Sequence, residues 1–218
     1  MAHVGFPQDV LDLACGNMRF QRFLNDTMPE NLPRFYCVDS CSDLVDESFD
    51  AQFQELDIVN AVLQNDNLSD LIEAPPCDLA VSFGFLHHVP GIDARKRVIQ
   101  ALVDNVMPGG LIGVSLWQFM TSKRLASKAR KTTERALVNL DIELDEGDYL
   151  LGWQDQTDTL RYCHSFTSDE AEELAQSVGE SCDLVERFEA DGTNNALNIY
   201  LIMRKRSQHD TEYNQITM

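Results

Sequence analysis

The sequence has no apolar run approaching the ~20 residues that a membrane-spanning helix requires. Its opening residues, MAHVGFPQDV, carry neither the charged nor the apolar stretch of a secretory leader. A cytoplasmic location is therefore expected. No cysteine pair forms C-x-x-C: Cys15, Cys37, Cys41, Cys77, Cys163 and Cys182 stand apart. They read as reduced, buried thiols rather than as disulfides or zinc ligands, so no metal is expected. G-x-G-x-x-G is missing too, because Gly16 has no glycine at either required spacing, which counts against a nicotinamide dehydrogenase. Basic residues are scarce. With 17 Lys and Arg against 36 Asp and Glu, the net charge of -19 disfavours indiscriminate attraction to nucleic acid, and no DNA partner is expected. No internal repeat is evident, so the 218 residues fit one domain over residues 1–206, followed by a polar, aperiodic tail at 207–218.

Against these absences stands the run VLDLACGNMRF at residues 10–20, which reads as a buried strand, a tight glycine turn and the start of a helix. Such a strand leaves a cleft at its carboxyl edge, where backbone N–H groups can receive a small polar ligand. The next two strand-like runs, FYCVDS and FQELDIV, end in Asp39 and Asp57. Carboxylates at those ends accept hydrogen bonds from ribose hydroxyls and an adenine amino group, and they repel a nucleotide phosphate.

Strand-like runs at 10–14, 35–39, 53–57, 78–83 and 111–117 alternate with helix-like segments at 18–26, 42–46, 59–63 and 94–106. That alternation predicts a parallel sheet covered on both faces. The last of these helices ends at Met107-Pro108-Gly109-Gly110, a stop signal. Two further apolar runs, 183–190 and 197–204, flank a polar Gly-containing link and predict an antiparallel hairpin, giving seven strands. The fold expected is α/β: a doubly wound, mostly parallel seven-stranded sheet, Rossmann-like, in the order 3-2-1-4-5-7-6.

Residues between the fifth strand and the hairpin exceed one crossover, which predicts an inserted cap at about 119–167, then a helix capped by Thr167 or Ser168. Within the cap, Arg124, Lys128, Lys131 and Arg135 fall on one helical stripe of the basic segment 123–135, with Leu125, Ala129, Ala136 and Leu140 roughly opposite. The stripe is either a solvated helix face or a contact strip for phosphates.

The motifs at 10–20, Asp39 and Asp57, together with CDLAVSFGFLHHVP at 77–90 and MPGGLIGVSLWQF before and along strand five, resemble the class I S-adenosylmethionine-dependent methyltransferases over residues 10–204. The family's usual D/E-x-G-x-G-x-G aligns with Asp12, Ala14, Gly16 and Met18, so only the central glycine is kept. Met18 either narrows the pocket or packs beneath it. The resemblance implies S-adenosylmethionine as cofactor, with S-adenosylhomocysteine as product. It implies backbone from Asp12 through Ala14, Cys15 and Gly16 against the methionine part, Asp39 and Ser40 at the ribose, Asp57 and Ile58 at the adenine, and Ser82 and Phe83 near the amino group. Of the histidine pair, His88 reads as a packed helix-start residue and His87 as the one facing the cleft.

GDYLLGW, RYCHSFTSDEAEEL and DGTNNALNIYLIMRK are similar to segments of the tRNA wobble-uridine carboxymethyl methyltransferases, whose cap carries R-Y-x-H-x-F. Arg161, Tyr162 and His164 match residue by residue. This resemblance implies esterification of a uridine carboxylate, with tRNA meeting helix 123–135 and with an activator subunit or a homodimer as further partner. Arg161 can hold a planar carboxylate bidentately, and such a nucleophile needs no general base, so His164 orients it. The alternatives are a small-metabolite acceptor, a degenerate cofactor-binding module, and a purely structural cap strand in which Tyr162 and His164 pack inward and Arg161 pairs with an acid.

Overall fold

A computed structural model describes residues 5–46, 48–153 and 156–207. The expected tail at 207–218 lies almost wholly outside the described residues. Seven strands form the main sheet in the order β3-β2-β1-β4-β5-β9-β8: β1 (Asp9–Leu13), β2 (Arg34–Asp39), β3 (Ala51–Glu55), β4 (Cys77–Ser82), β5 (Val106–Trp117), β8 (Cys182–Ala190) and β9 (Asn198–Lys205). The pairs among β1 to β5 are parallel, and β9 runs antiparallel to both β5 and β8. This is the expected order, with β9 and β8 as the seventh and sixth strands of the sheet.

β1 lies inside the sheet between β2 and β4, and all five of its residues are buried. The pleat sends successive side chains to opposite faces. Leu11 and Leu13, with Ala80, Ile112, Val114, Leu201 and Met203, join the larger core, which also takes in residues of α2 (Ile58–Leu63), α3 (Leu68–Leu71), α4 (Ile92–Asp104) and α6 (Ser168–Gln176). Val10, Leu79, Val81 and Leu111 belong to a second core with Met18 and with Leu24 of α1 (Arg19–Thr27).

Several boundaries differ from the sequence reading. The expected helix at 42–46 is a single 3-10 turn, Ser42–Leu44. α4 stops at Asp104 rather than 106, because Val106 already pairs with Cys77, and a register shift between Cys77 and Leu79 absorbs the Pro-Gly-Gly segment inside β5. β3 ends at Glu55, so Asp57 stands beyond the strand and caps α2 by accepting from Asn60 N at 2.9 Å.

Between β5 and α6 come α5 (Lys123–Leu137) and a separate hairpin, β6 (Asp148–Trp153) with β7 (Gln156–His164). Ala126, Ala129, Thr133 and Ala136 form the buried side of α5, and the Thr133 hydroxyl both accepts from Leu150 N and donates to Leu150 O. Arg124, Lys128, Lys131 and Arg135 are all exposed. Leu140 lies past the helix end and is exposed, so it is no part of the packed side. Thr167 and Glu170 make a reciprocal capping box at the start of α6.

Candidate functional site

The turn after β1 keeps an unusual backbone despite its side chains. Ala14, Gly16 and Met18 all have positive φ, at 64°, 52° and 56°. The left-handed region costs a residue with a Cβ roughly 1–2 kcal/mol, so two residues here hold a conformation that glycine would adopt freely. Met18 is repaid by packing: its side chain is 1% exposed, sits in the second core, and is not among those lining the cleft.

The turn folds back against the end of β2. Ala14 N donates to Val38 O at 2.7 Å, Gly16 N to Asp39 Oδ2 at 2.9 Å, and Cys41 N to Asp39 Oδ1 at 3.1 Å. Above it opens a cavity of about 1290 Å³, lined by Asp12, Ala14, Cys15, Gly16, Asp39, Ser40, Asp57, Ile58 and Phe83. These come from four strand ends. The cavity continues along the second face past Leu111 and Ile202 to an aromatic wall, where Phe20 meets Phe83 edge-on at 5.3 Å and Phe188 stacks on Tyr200 at 5.0 Å. Its volume exceeds the ~300–1,000 Å³ of a usual small-molecule pocket.

Electrostatically the cradle is acidic but partly neutralised. Burial, with the neighbouring Asp39 charge adding to it and a hydrogen bond from Gln21 opposing, pushes Asp12 up to about 7. Gln21 Nε2 donates to Asp12 Oδ2 at 2.9 Å. The Cys15 thiol is pushed far up by its hydrogen bond with Cys37 and by burial, so it stays protonated. Ser82 is fully buried, its Oγ has no hydrogen-bond partner, and it does not line the cleft.

The histidine pair is placed the other way round from the sequence expectation. His88 lines the cavity, while His87 is 7% exposed and packs against Trp117 with ring centroids 5.0 Å apart. The 3-10 turn Leu86–His88 turns the second histidine, not the first, toward the cleft. Burial holds both imidazoles below their ordinary range, and the Arg161 charge adds to this. Phe85 also lines the cavity. No periodicity in the sequence distinguished Phe85 or His88.

Arg161, Tyr162 and His164 do not line the cleft. Tyr162 and His164 belong instead to an interior network centred on Asp148. His164 Nδ1 lies 2.6 Å from Asp148 Oδ1 and Nε2 lies 2.7 Å from Glu170 Oε1; the Tyr162 hydroxyl donates to Asp148 and accepts from Arg95 at 2.8 Å. Arg95 is 3% exposed and also donates to Val89 O, so a buried cation is surrounded by acceptors. Burial alone would raise the Asp148 carboxyl, but the hydrogen bonds from His164 and Tyr162 hold it below its ordinary range. The network ties the hairpin to α4 and α6. Gly147 permits it: at φ 87°, a Cβ there would stand 2.6 Å from the His164 ring.

No protein-family model matches the chain, and no curated protein matches it. Solved structures do. An S-adenosylmethionine-dependent methyltransferase from Methanosarcina mazei superposes with a TM-score of 0.68 at 17% identity, covering 95% of this chain and 96% of that one. The fold is that of the class I S-adenosylmethionine-dependent methyltransferases. The N-methyltransferase NodS from Bradyrhizobium japonicum, in complex with S-adenosylhomocysteine, has a TM-score of 0.54 at 13% identity, covering 93% and 80%. The 1,6-didemethyltoxoflavin-N1-methyltransferase from Burkholderia thailandensis, with 1,6-didemethyltoxoflavin and S-adenosylhomocysteine bound, has a TM-score of 0.57 at 19% identity, covering 94% and 74%. No helix among the described residues of this methyltransferase-like fold is long and apolar enough to cross a membrane.

Proposed function

We propose that this chain is a methyltransferase that binds S-adenosylmethionine in the cleft and passes its methyl group to an acceptor beside His88. The observation that carries the reading is the single cavity that collects Gly16, Asp39, Asp57 and Phe83 from successive strand ends. The residues fit the cofactor. Asp39 uses one lone pair on each oxygen for Gly16 and Cys41, and Asp57 uses one on Oδ1 for Asn60; each carboxylate oxygen has a second acceptor site for a hydroxyl or amine donor. Asp39 and Ser40 would hold the ribose, Asp57 and Ile58 the adenine, and the 14–16 backbone the methionine part. When bound, the cofactor supplies an electrophilic methyl group on a sulfonium centre.

The protein's contribution is position and environment. A sulfonium donor meeting an anionic nucleophile disperses charge in the transition state, so a cleft walled by Phe83, Phe85 and Phe20 favours it. Holding the acceptor in line supplies most of the remainder. His88 borders the cavity with its Nδ1 engaged by the Tyr162 carbonyl at 3.0 Å, which fixes the ring. Among the described lining residues there is no lysine, and burial keeps His88 a weak base, which suits an acceptor already ionised at neutral pH.

The acceptor we infer is a carboxylate on a modified tRNA uridine; Arg161, which does not line the cleft, is not assigned to hold it. Its support is the exposed stripe Arg124, Lys128, Lys131 and Arg135 on α5, a spacing suited to phosphates. A small-metabolite acceptor is the competing outcome, and the chain's net charge of -19 favours it. Incubating the protein with methyl-labelled cofactor and fractionated cell extract tests both levels. Base-labile label in tRNA supports the full reading, label in the small-molecule fraction replaces the acceptor, and no transfer to any fraction overturns the activity.

A further inference from the structure

We propose that His87, His88 and Cys163 form a binding site for one borderline-soft divalent cation of the zinc class. One ligand atom from each residue lies within 4.8 Å of the other two. The set joins segments 75 residues apart, the 3-10 turn after β4 and the inner strand of the β6–β7 hairpin. Two imidazoles and one thiol make an N/N/S set, which selects zinc-like ions over the hard cations that suit oxygen ligands.

A second observation points to a ligand independently. His87 Nδ1 is buried and has no hydrogen-bond partner. Buried ring nitrogens are nearly always satisfied, and a metal bond would satisfy this one. Burial keeps both imidazoles neutral, the form that ligates. The cluster is also held by its surroundings. His88 Nδ1 meets both the Tyr162 carbonyl at 3.0 Å and Cys163 Sγ at 3.7 Å, so a metal bound through Nδ1 displaces the carbonyl contact and one bound through Nε2 keeps it as the orienting contact; Tyr162 is itself fixed by Asp148 and Arg95.

Arg161 puts a positive charge near both rings. The Cys163 thiol loses its proton to solvent as the sulfur–metal bond forms, so binding raises the net charge beside Arg161 by one rather than by two. Three protein ligands leave a fourth position for water in a tetrahedral site, and His88 borders the cleft from which that water enters.

The test uses the full chain stripped with a chelator and titrated with Co²⁺ and Zn²⁺. One equivalent should bind, with a thiolate-to-cobalt charge-transfer band and one proton released per ion. X-ray absorption of the zinc-loaded protein should show one sulfur at about 2.3 Å and two nitrogens at about 2.0–2.1 Å. Cys163→Ser should abolish the band, and both it and His87→Gln should weaken zinc binding at least tenfold. An oxygen-only shell, two or more sulfurs, binding below one equivalent, or a band retained in Cys163→Ser would overturn the site. If either variant misfolds by circular dichroism, the absorption spectrum of the unmodified protein decides.

Discussion

Asp12 offers a stability test that needs no ligand. The carboxyl is 3% exposed, its Oδ2 accepts from Gln21, and burial pushes it from 3.8 up to about 7. The folded chain therefore holds this proton more tightly than the unfolded chain does. Its contribution to stability is fully present below pH ~4, falls as the pH climbs toward 7, and is gone above that. A rise of that size corresponds to a ceiling of about 4 kcal/mol. Asp12→Asn keeps an oxygen for Gln21 and cannot ionise. Urea unfolding of both proteins from pH 4 to pH 8 isolates the effect, because the other acidic groups cancel in the difference. The variant should gain on the parent by up to ~4 kcal/mol across that interval. A difference that stays flat with pH would refute the assignment of a buried, protonated carboxyl at the cleft.

Four further outcomes follow from the geometry. Ala14→Gly should stabilise the fold by about 0.5–1 kcal/mol in denaturant unfolding, because φ there is already 64°. Met18→Gly relieves the same kind of strain but empties a fully buried position, so it should cost about 2–4 kcal/mol while leaving ligand affinity nearly unchanged. Asp148→Ala leaves Arg95 and His164 without their shared acceptor and should cost about 3–5 kcal/mol, read as a lowered urea midpoint. Neutralising Arg124, Lys128, Lys131 and Arg135 together should weaken tRNA binding and flatten its salt dependence; unchanged binding would remove α5 from the interface.

The sheet was legible because parallel strands buried on both faces read as short apolar runs punctuated by Gly, Pro and Asp. All seven expected strands lie within a few residues of β1 to β5, β8 and β9. The acidic strand ends were legible for the same reason, since Asp39 closes β2. Other features were not local. Residue preference gives no sign that Ala14 and Met18 take glycine's conformation, and only their alignment with the family's glycines points to it; tertiary packing around Met18 overrides the preference. The Arg161 segment read as one reactive motif, yet the side chains of Tyr162 and His164 turn into a network completed by Arg95 and Asp148, which lie far apart in sequence. Alternation along a strand gives its two faces but not what each face meets. The short turn at Leu86–His88 decided which histidine borders the cleft, and its geometry follows from packing against β7.

The central claim is that three strand ends cradle one adenosyl ligand, and calorimetric titration with S-adenosylhomocysteine tests it most directly. The account predicts one site per chain, with binding weakened at least tenfold by Asp39→Asn and by Asp57→Ala while both variants remain folded. Absence of binding, or equal affinity in both variants, would contradict it.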